Sequence, residues 1–227
     1  MKKETIILSV GGSLIFPEEI DVSWLRQFKK MILANTGKYR FVLICGGGKI
    51  CRKYNAAASE LREMSNTDLD LLGIETTRMN AYFVKTIFEN KAYEKVVSNP
   101  TEKVNTDKEV IVGCGWKPGT STDMDAVLMA RTYGVKKVVN LSNIDYVYDK
   151  DPRKFKDAKP IKNLSWKDFR GKVLPKEWIS GSNTPFDVSA SGEAERLGLK
   201  VTIMNGHNLD NFEKYLQGKS FVGTVIE

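Results

Sequence analysis

Arg40-Phe41-Val42-Leu43-Ile44-Cys45-Gly46-Gly47-Gly48-Lys49 is the stretch on which the reading of this chain turns. An apolar run passes without a polar break into three glycines and a cation. Continuous apolar character of this kind suits a parallel strand covered on both faces, not a half-wet strand of alternating polarity. Consecutive glycines at its end let backbone N–H groups close on an anion with no Cβ in the way. A helix starting there adds its dipole and its free donors.

The same pattern recurs in both directions. Runs at 5–10, 109–113, 136–141 and 200–204 read as further buried strands, and 223–227 as a last one. Between them, 22–35, 50–64, 70–89, 122–133 and 185–197 read as helices, with a shorter one at 208–216. Strand–helix alternation at this spacing predicts an α/β protein, a three-layer αβα sandwich around a mostly parallel sheet. The segment 145–173 is more polar, carries Pro152 and Pro160, and reads as an insertion. With no linker, repeat or low-complexity tract, all 227 residues are expected to form one domain, 1–227.

Composition narrows the function classes. Hydrophobic content of 41% and charged content of 28% argue against disorder. The net charge of +7 suits a nucleic-acid surface or an attraction for small polyanions such as nucleotides. The positives are scattered, without a like-charge run or an aromatic-interleaved stripe, so nucleic acid is the weaker reading. Cys45, Cys51 and Cys114 form no C-x-x-C pair and their odd number closes no disulfide framework. Reduced thiols, a cytoplasmic location and no membrane span are expected, since the N-terminal apolar run is too short for a signal peptide.

Ligands of open parallel sheets bind beyond the carboxyl ends of the strands, so the residues at those ends are informative. After the first strand comes Gly11-Gly12-Ser13, after the second Gly46-Gly47-Gly48-Lys49 with Arg52 beyond it. After the third comes Gly113-Cys114-Gly115-Trp116-Lys117-Pro118-Gly119-Thr120-Ser121-Thr122-Asp123, and after the fourth Asn140-Leu141-Ser142-Asn143-Ile144-Asp145. One glycine turn reads equally well as steric necessity; three on one rim point to several phosphates. There is no G-x-x-x-x-G-K-S/T and no strand-linked G-x-G-x-x-G, so neither a P-loop nor a dinucleotide fold is indicated. The only histidine, His207, reads as a structural turn residue, which leaves histidine-based hydrolases and zinc sites without support. Transfer onto a phosphate needs no base, because the attacking oxygen is already ionised near neutral pH. It needs positioning and cations, and Lys49, Arg52, Arg78, Lys117 and Lys150 lie in or near the glycine turns.

These segments together resemble the amino-acid-kinase superfamily, and within it most closely the archaeal-type uridylate kinases. The 113–123 loop is similar to that family's G-G-x-x-P-G-x-x-T-D, and 143–152 to its N-V-D-G-V-Y-x-x-D-P. Asp70-Leu71-Leu72-Gly73-Ile74 with Thr77-Arg78-Met79-Asn80-Ala81 resembles its D-x-x-G-I…T-R-x-N-A helix, and Gly223-Thr224-Val225-Ile226 its closing G-T-x-I. The likeness runs in order over the whole chain.

The resemblance implies an ATP-dependent kinase with UMP as acceptor and Mg2+ arriving on ATP, with no metal site of its own. Gly11, Gly12, Ser13, Gly47 and Arg52 would meet ATP phosphates, and Ser142, Asn143, Tyr148 and Asp151 the ATP nucleoside. UMP would lie against Gly46, Asp70, Arg78 and the stretch Gly115, Trp116, Lys117, Pro118, Gly119, Thr120, Ser121 and Thr122. Lys49, Arg52 and Asp123 would serve catalysis, Asp123 matching the motif better than Asp125 as the acid that orients the cations. Taken alone, Asp70 reads as a helix N-cap and Tyr148 as core packing; the motif context reverses that. The family likeness also implies a homo-oligomer, a homohexamer assembled from dimers.

Departures bear on the acceptor. Ser9 stands where most superfamily members carry a lysine, so Lys49 or Lys117 must serve. Trp116, Lys117 and Thr120 replace a loop that usually holds histidine, and Tyr146 replaces a glycine. Other acceptors (a carbamate, a carboxylate, isopentenyl phosphate) and a non-catalytic nucleotide or oxyanion binder therefore remain open, as does a secondary regulatory role on nucleic acid.

Overall fold

A computed structural model describes residues 3–152, 154–174 and 184–227. Met1 and Lys2, at the N-terminus, lie outside them, as does Arg153 within 145–173. The strands are β1 (Glu4–Val10), β2 (Tyr39–Cys45), β3 (Val110–Gly113), β4 (Lys137–Ser142), β5 (Val147–Tyr148), β6 (Pro160–Ile161), β7 (Asn163–Leu164), β8 (Lys200–Asn205) and β9 (Thr224–Ile226). The helices are α1 (Gly12–Ile15), α2 (Val22–Asn35), α3 (Gly48–Leu61), α4 (Asn66–Ile87), α5 (Thr122–Tyr133), α6 (Trp166–Asp168), α7 (Val188–Arg196) and α8 (Leu209–Leu216).

Seven strands form one sheet in the order β3-β2-β1-β4-β8-β9-β7. β3, β2, β1, β4 and β8 run parallel, while β9 runs antiparallel to β8 with β7 parallel to β9. The fold is therefore the expected α/β layered architecture with a mostly parallel sheet. Strand order reverses at β1, whose neighbours are β2 and β4, and such a switch point opens a crevice beyond the strand ends.

Strand parity decides which side chains meet which helices. Ile6, Leu8 and Val10 of β1 join Phe41 and Leu43 of β2 in a core with Trp24, Phe28, Ala81 and Phe212 from α2, α4 and α8. Ile7, Val42 and Ile44 face the opposite core, closed by Ala126, Val127 and Ala130 of α5 and Ala190 and Ala194 of α7. Ser9 shares the parity of Ile7, so it faces α5. Each buried aliphatic or aromatic side chain contributes roughly 1.5–3 kcal/mol of transfer free energy, and two such layers hold the rim rigid.

Helix starts reflect the local chemistry. Asp21 caps α2 by accepting the Trp24 N–H at 2.9 Å, and Ser121 caps α5 by accepting that of Met124 at 3.2 Å. Ser65 and Asp68 form a capping box at α4. That box corrects the expectation of a helix starting at Asp70: α4 begins at Asn66, and Asp70 lies inside it. α3 likewise starts at Gly48 and not at 50, and Gly48 takes φ +69°, which its lack of a Cβ permits. Within 145–173, β5 and β6 form a small antiparallel ribbon.

Candidate active site

The loops after β1 and β2 are packed against each other with almost no slack. A Cβ on Gly12 would fall 2.0 Å from the Gly48 nitrogen, and one on Gly46 would fall 2.7 Å from the Gly12 nitrogen. Gly11 N–H donates to Leu141 O at 2.9 Å and Gly46 N–H to Val10 O at 3.0 Å. Glycine here is required by backbone meeting backbone. Two helices also start in this cage: Gly12 and Ser13 open α1 and Gly48 opens α3, where helices leave N–H groups without internal partners.

α4 ties this cage to the third loop. Buried Asn80 donates to the carbonyls of Gly46 at 2.8 Å and Gly47 at 3.1 Å. One turn earlier, the Thr77 hydroxyl accepts the Gly115 N–H at 2.8 Å and donates to Ile74 O at 2.7 Å. These contacts give the Thr77-Arg78-Met79-Asn80 likeness a physical reason: two polar side chains at i, i+3 register two loops against each other. Neither residue was singled out for the site by sequence reasoning, although their position on the apolar side of α4 was a usable signal.

The 115–122 loop is held at two further points. Asp70 accepts the Gly119 N–H at 2.8 Å through Oδ2, so it reaches the loop from within α4. Asp125 accepts the Trp116 N–H at 3.2 Å, also through Oδ2. Gly119 takes φ +79° with open space around it. Lys117 lies over the Trp116 ring, 4.1 Å from its centroid, and Thr120 bonds back to Lys117 O at 2.7 Å. Pro118 completes the turn, and Ser121 and Thr122 start α5.

At the floor of the crevice, Asp123 receives three donors. The Ser9 hydroxyl donates to Oδ1 at 3.0 Å, the Asn140 amide to Oδ1 at 2.9 Å and the Asp187 N–H to Oδ2 at 3.2 Å. Burial pushes its pKa up to about 6, with the Asp187 charge adding to the rise and the Ser9 bond opposing it. Its partners are thus neutral groups, in place of the cations expected beside it. Asn140 and Asp187 were missed by sequence reasoning because β4, β1 and α7 converge only in the fold.

The cations are distributed along the rim. Lys49, in the first turn of α3, pairs with Glu18 on the loop after α1. Lys49 holds the Glu18 carboxyl below its usual range, with Lys53 and Arg52 adding smaller pulls. Arg52 is exposed one turn further along α3. Arg78 lies 3.4 Å from Glu75 on the same helix. Ser142 closes β4 with Asn143 directly after it, Tyr148 lies half-buried in β5, and Asp151 follows β5 in the chain. Lys150 pairs with Asp157 at 2.7 Å. His207 is exposed in a turn, its N–H bonded to Asn205 at 3.0 Å. Among the described residues the three cysteines are free thiols, no group of three or more His, Cys, Asp or Glu side chains could hold a metal, and no helix is long and apolar enough to cross a membrane.

Glycine-built turns, helix starts and cations gather at one switch point of an α/β sheet. A sequence model of the Amino acid kinase family matches residues 4–205, and the chain belongs to that family. It is 33% identical to the uridylate kinase of Staphylothermus marinus over 224 residues, 98% of each chain. To that of Thermoplasma volcanium it is 34% identical over 227 residues, 99% of this chain and 98% of the relative. The crystal structure of uridylate kinase from Archaeoglobus fulgidus superposes with a TM-score of 0.83 at 30% identity, covering 99% of this chain and 100% of that one. UMP kinase from Ureaplasma parvum, at 19% identity and a TM-score of 0.79 with full coverage of both chains, shares the fold.

Proposed function

We propose that this chain transfers the γ-phosphoryl group of ATP to UMP, giving ADP and UDP. The observation that carries the reading is the joining of two loop systems by one helix. Asn80 fixes the glycine cage and Thr77 fixes the 115–122 loop, so two anionic substrates would meet end to end across α4. The full-length likeness to proteins named uridylate kinase supports the choice of acceptor.

Gly11, Gly12, Ser13 and Gly47 would bind ATP phosphates through backbone N–H groups, with Ser142, Asn143, Tyr148 and Asp151 around the nucleoside. Gly46, Asp70, Arg78 and the 115–122 loop would receive UMP. The attacking UMP phosphate oxygen is already ionised, so the protein's task is alignment and charge dispersal. Lys49 would supply a cation once nucleotide phosphates displace Glu18 from it, and exposed Arg52 a second one. Asp123, enclosed by Ser9 and Asn140, would hold the switch-point strands and the α5 start in register. Its carboxylate already receives three donors, which fits a Mg2+ ion ligated mainly by substrate oxygens and water. When bound, that ion supplies charge neutralisation on the ATP phosphates. A role in pyrimidine nucleotide supply, a cytoplasmic setting, a single domain spanning 1–227 and assembly into a hexamer complete the proposal.

An ADP-release assay with Mg-ATP against nucleoside monophosphates, carbamate, isopentenyl phosphate and amino acids tests it. Selective turnover of UMP is expected. Preference for another acceptor, or nucleotide binding without ADP release, would overturn it.

A further inference from the structure

Three side chains hold the 115–122 loop by its backbone: Thr77 at Gly115, Asp125 at Trp116 and Asp70 at Gly119. Asp125 differs from the other two. It is 0% exposed, and its second oxygen, Oδ1, is buried with no hydrogen-bond partner among the described residues. A wholly buried carboxyl with one oxygen unmatched is costly when charged, because nothing replaces the water it has lost. Asparagine would accept the same Trp116 bond without a charge, though its amide N–H groups would lie where Oδ1 now has no partner. The structure thus keeps an ionisable, wholly buried group under the loop expected to hold the acceptor.

The neighbourhood favours the protonated form. Burial pushes the Asp125 pKa up to about 8; the Trp116 bond opposes the rise and the Asp123 charge adds to it. Asp187 at the start of α7 is in turn bonded to Asp123. On the β3 side lies Cys114, itself raised to about 11 by burial, within reach of the charges of Arg78 and Glu75 from α4. From β1, β2 and β4, α5 meets apolar side chains such as Ile7, Val42 and Val138, with Ser9 and Asn140 the polar exceptions. The neighbouring cation, Arg78, engages Glu75.

We propose that Asp125 is a positioning residue for acceptor binding, holding the loop at Trp116 while its carboxyl carries a proton and loosening it when the proton leaves. Charge strengthens the single bond from Trp116 N–H, but it leaves Oδ1 buried without a donor. The desolvation cost is the larger of the two effects, and it is relieved when the loop lifts and admits water. The acceptor, which rests on the proposed role of that loop, then binds the competent fraction alone, and its apparent affinity falls with that fraction.

The test has a kinetic arm and a ligand-free arm. Between pH 7 and about 8.8, where the UMP phosphate is already dianionic, KM for UMP is expected to rise on the order of fivefold. KM for ATP, which carries the same kind of phosphate, stays level as the internal control. In Asp125→Asn the UMP profile flattens. In the absence of nucleotide, Trp116 emission, taken as wild type minus Trp116→Phe, should titrate with a midpoint near 8, and Asp125→Asn should abolish the transition. A wild-type emission signal that is flat across this range overturns the proposal, as does a UMP profile that Asp125→Asn leaves unchanged. If UMP is not turned over at all, the functional reading fails, and the emission titration alone still decides the role of Asp125.

Discussion

The two loop systems on the rim are built by opposite means. The cage after β1 and β2 is backbone against backbone, with no room for a methyl group at Gly12, Gly46 or Gly48. The loop after β3 is held away from open space by single hydrogen bonds from Thr77, Asp125 and Asp70. Hard-sphere contact makes the first a fixed mould, which suits the constant phosphates that the proposed function assigns to it. Side-chain bonds, each worth on the order of 1 kcal/mol net, make the second adjustable. Three of the five departures from the family pattern, Trp116, Lys117 and Thr120, fall in the adjustable loop, and Ser9 and Tyr146 lie outside it.

If the contrast is sound, substitutions in the cage damage the whole protein and those in the loop damage one substrate. The largest effect is expected from Gly12→Ala. Its Cβ would collide with Gly48 backbone, costing about 3 kcal/mol or more and lowering Tm by on the order of ten degrees; calorimetry showing an unchanged Tm would contradict the cage. Next comes Arg52→Ala, which leaves an exposed helix position intact but removes a cation, so kcat/KM should drop on the order of a hundredfold with Tm unmoved. Unchanged steady-state kinetics would remove Arg52 from the site.

Asp70→Asn should raise KM for UMP about tenfold, consistent with the loss of one charge-assisted bond, while KM for ATP stays put. An equal loss for ATP would place Asp70 in the cage instead. The smallest effect is expected from Glu18→Gln. Freeing Lys49 from an exposed ion pair should lower KM for ATP by no more than about twofold. A rise in KM for ATP would show that Glu18 supports the site and does not compete with phosphate.

The cage residues were legible because their constraint is local. Glycines that come after a continuous apolar strand announce a turn where backbone must come close, and Gly11, Gly12, Gly46 and Gly48 stand where that reading put them. Loop anchoring was less legible. Asp70 was read as a substrate ligand or a helix cap, but the capping box at Ser65 and Asp68 moved the start of α4 back to Asn66 and made Asp70 an interior residue facing Gly119. Thr77 and Asn80 belonged to a motif whose purpose depended on a partner dozens of residues away.

What the amino-acid order determined by itself was the layered α/β plan, the glycine turns and the rim they share, because strand periodicity and the missing Cβ act within a few residues. Only the tertiary structure decided that Ser9, Asn140 and the Asp187 amide converge on Asp123, and that Asp125 lies under Trp116 with one oxygen unmatched. Those relations depend on strand order and helix rotation. Burial, which sets the cost of a carboxylate's charge, belongs to the packed whole and to no short segment of the chain.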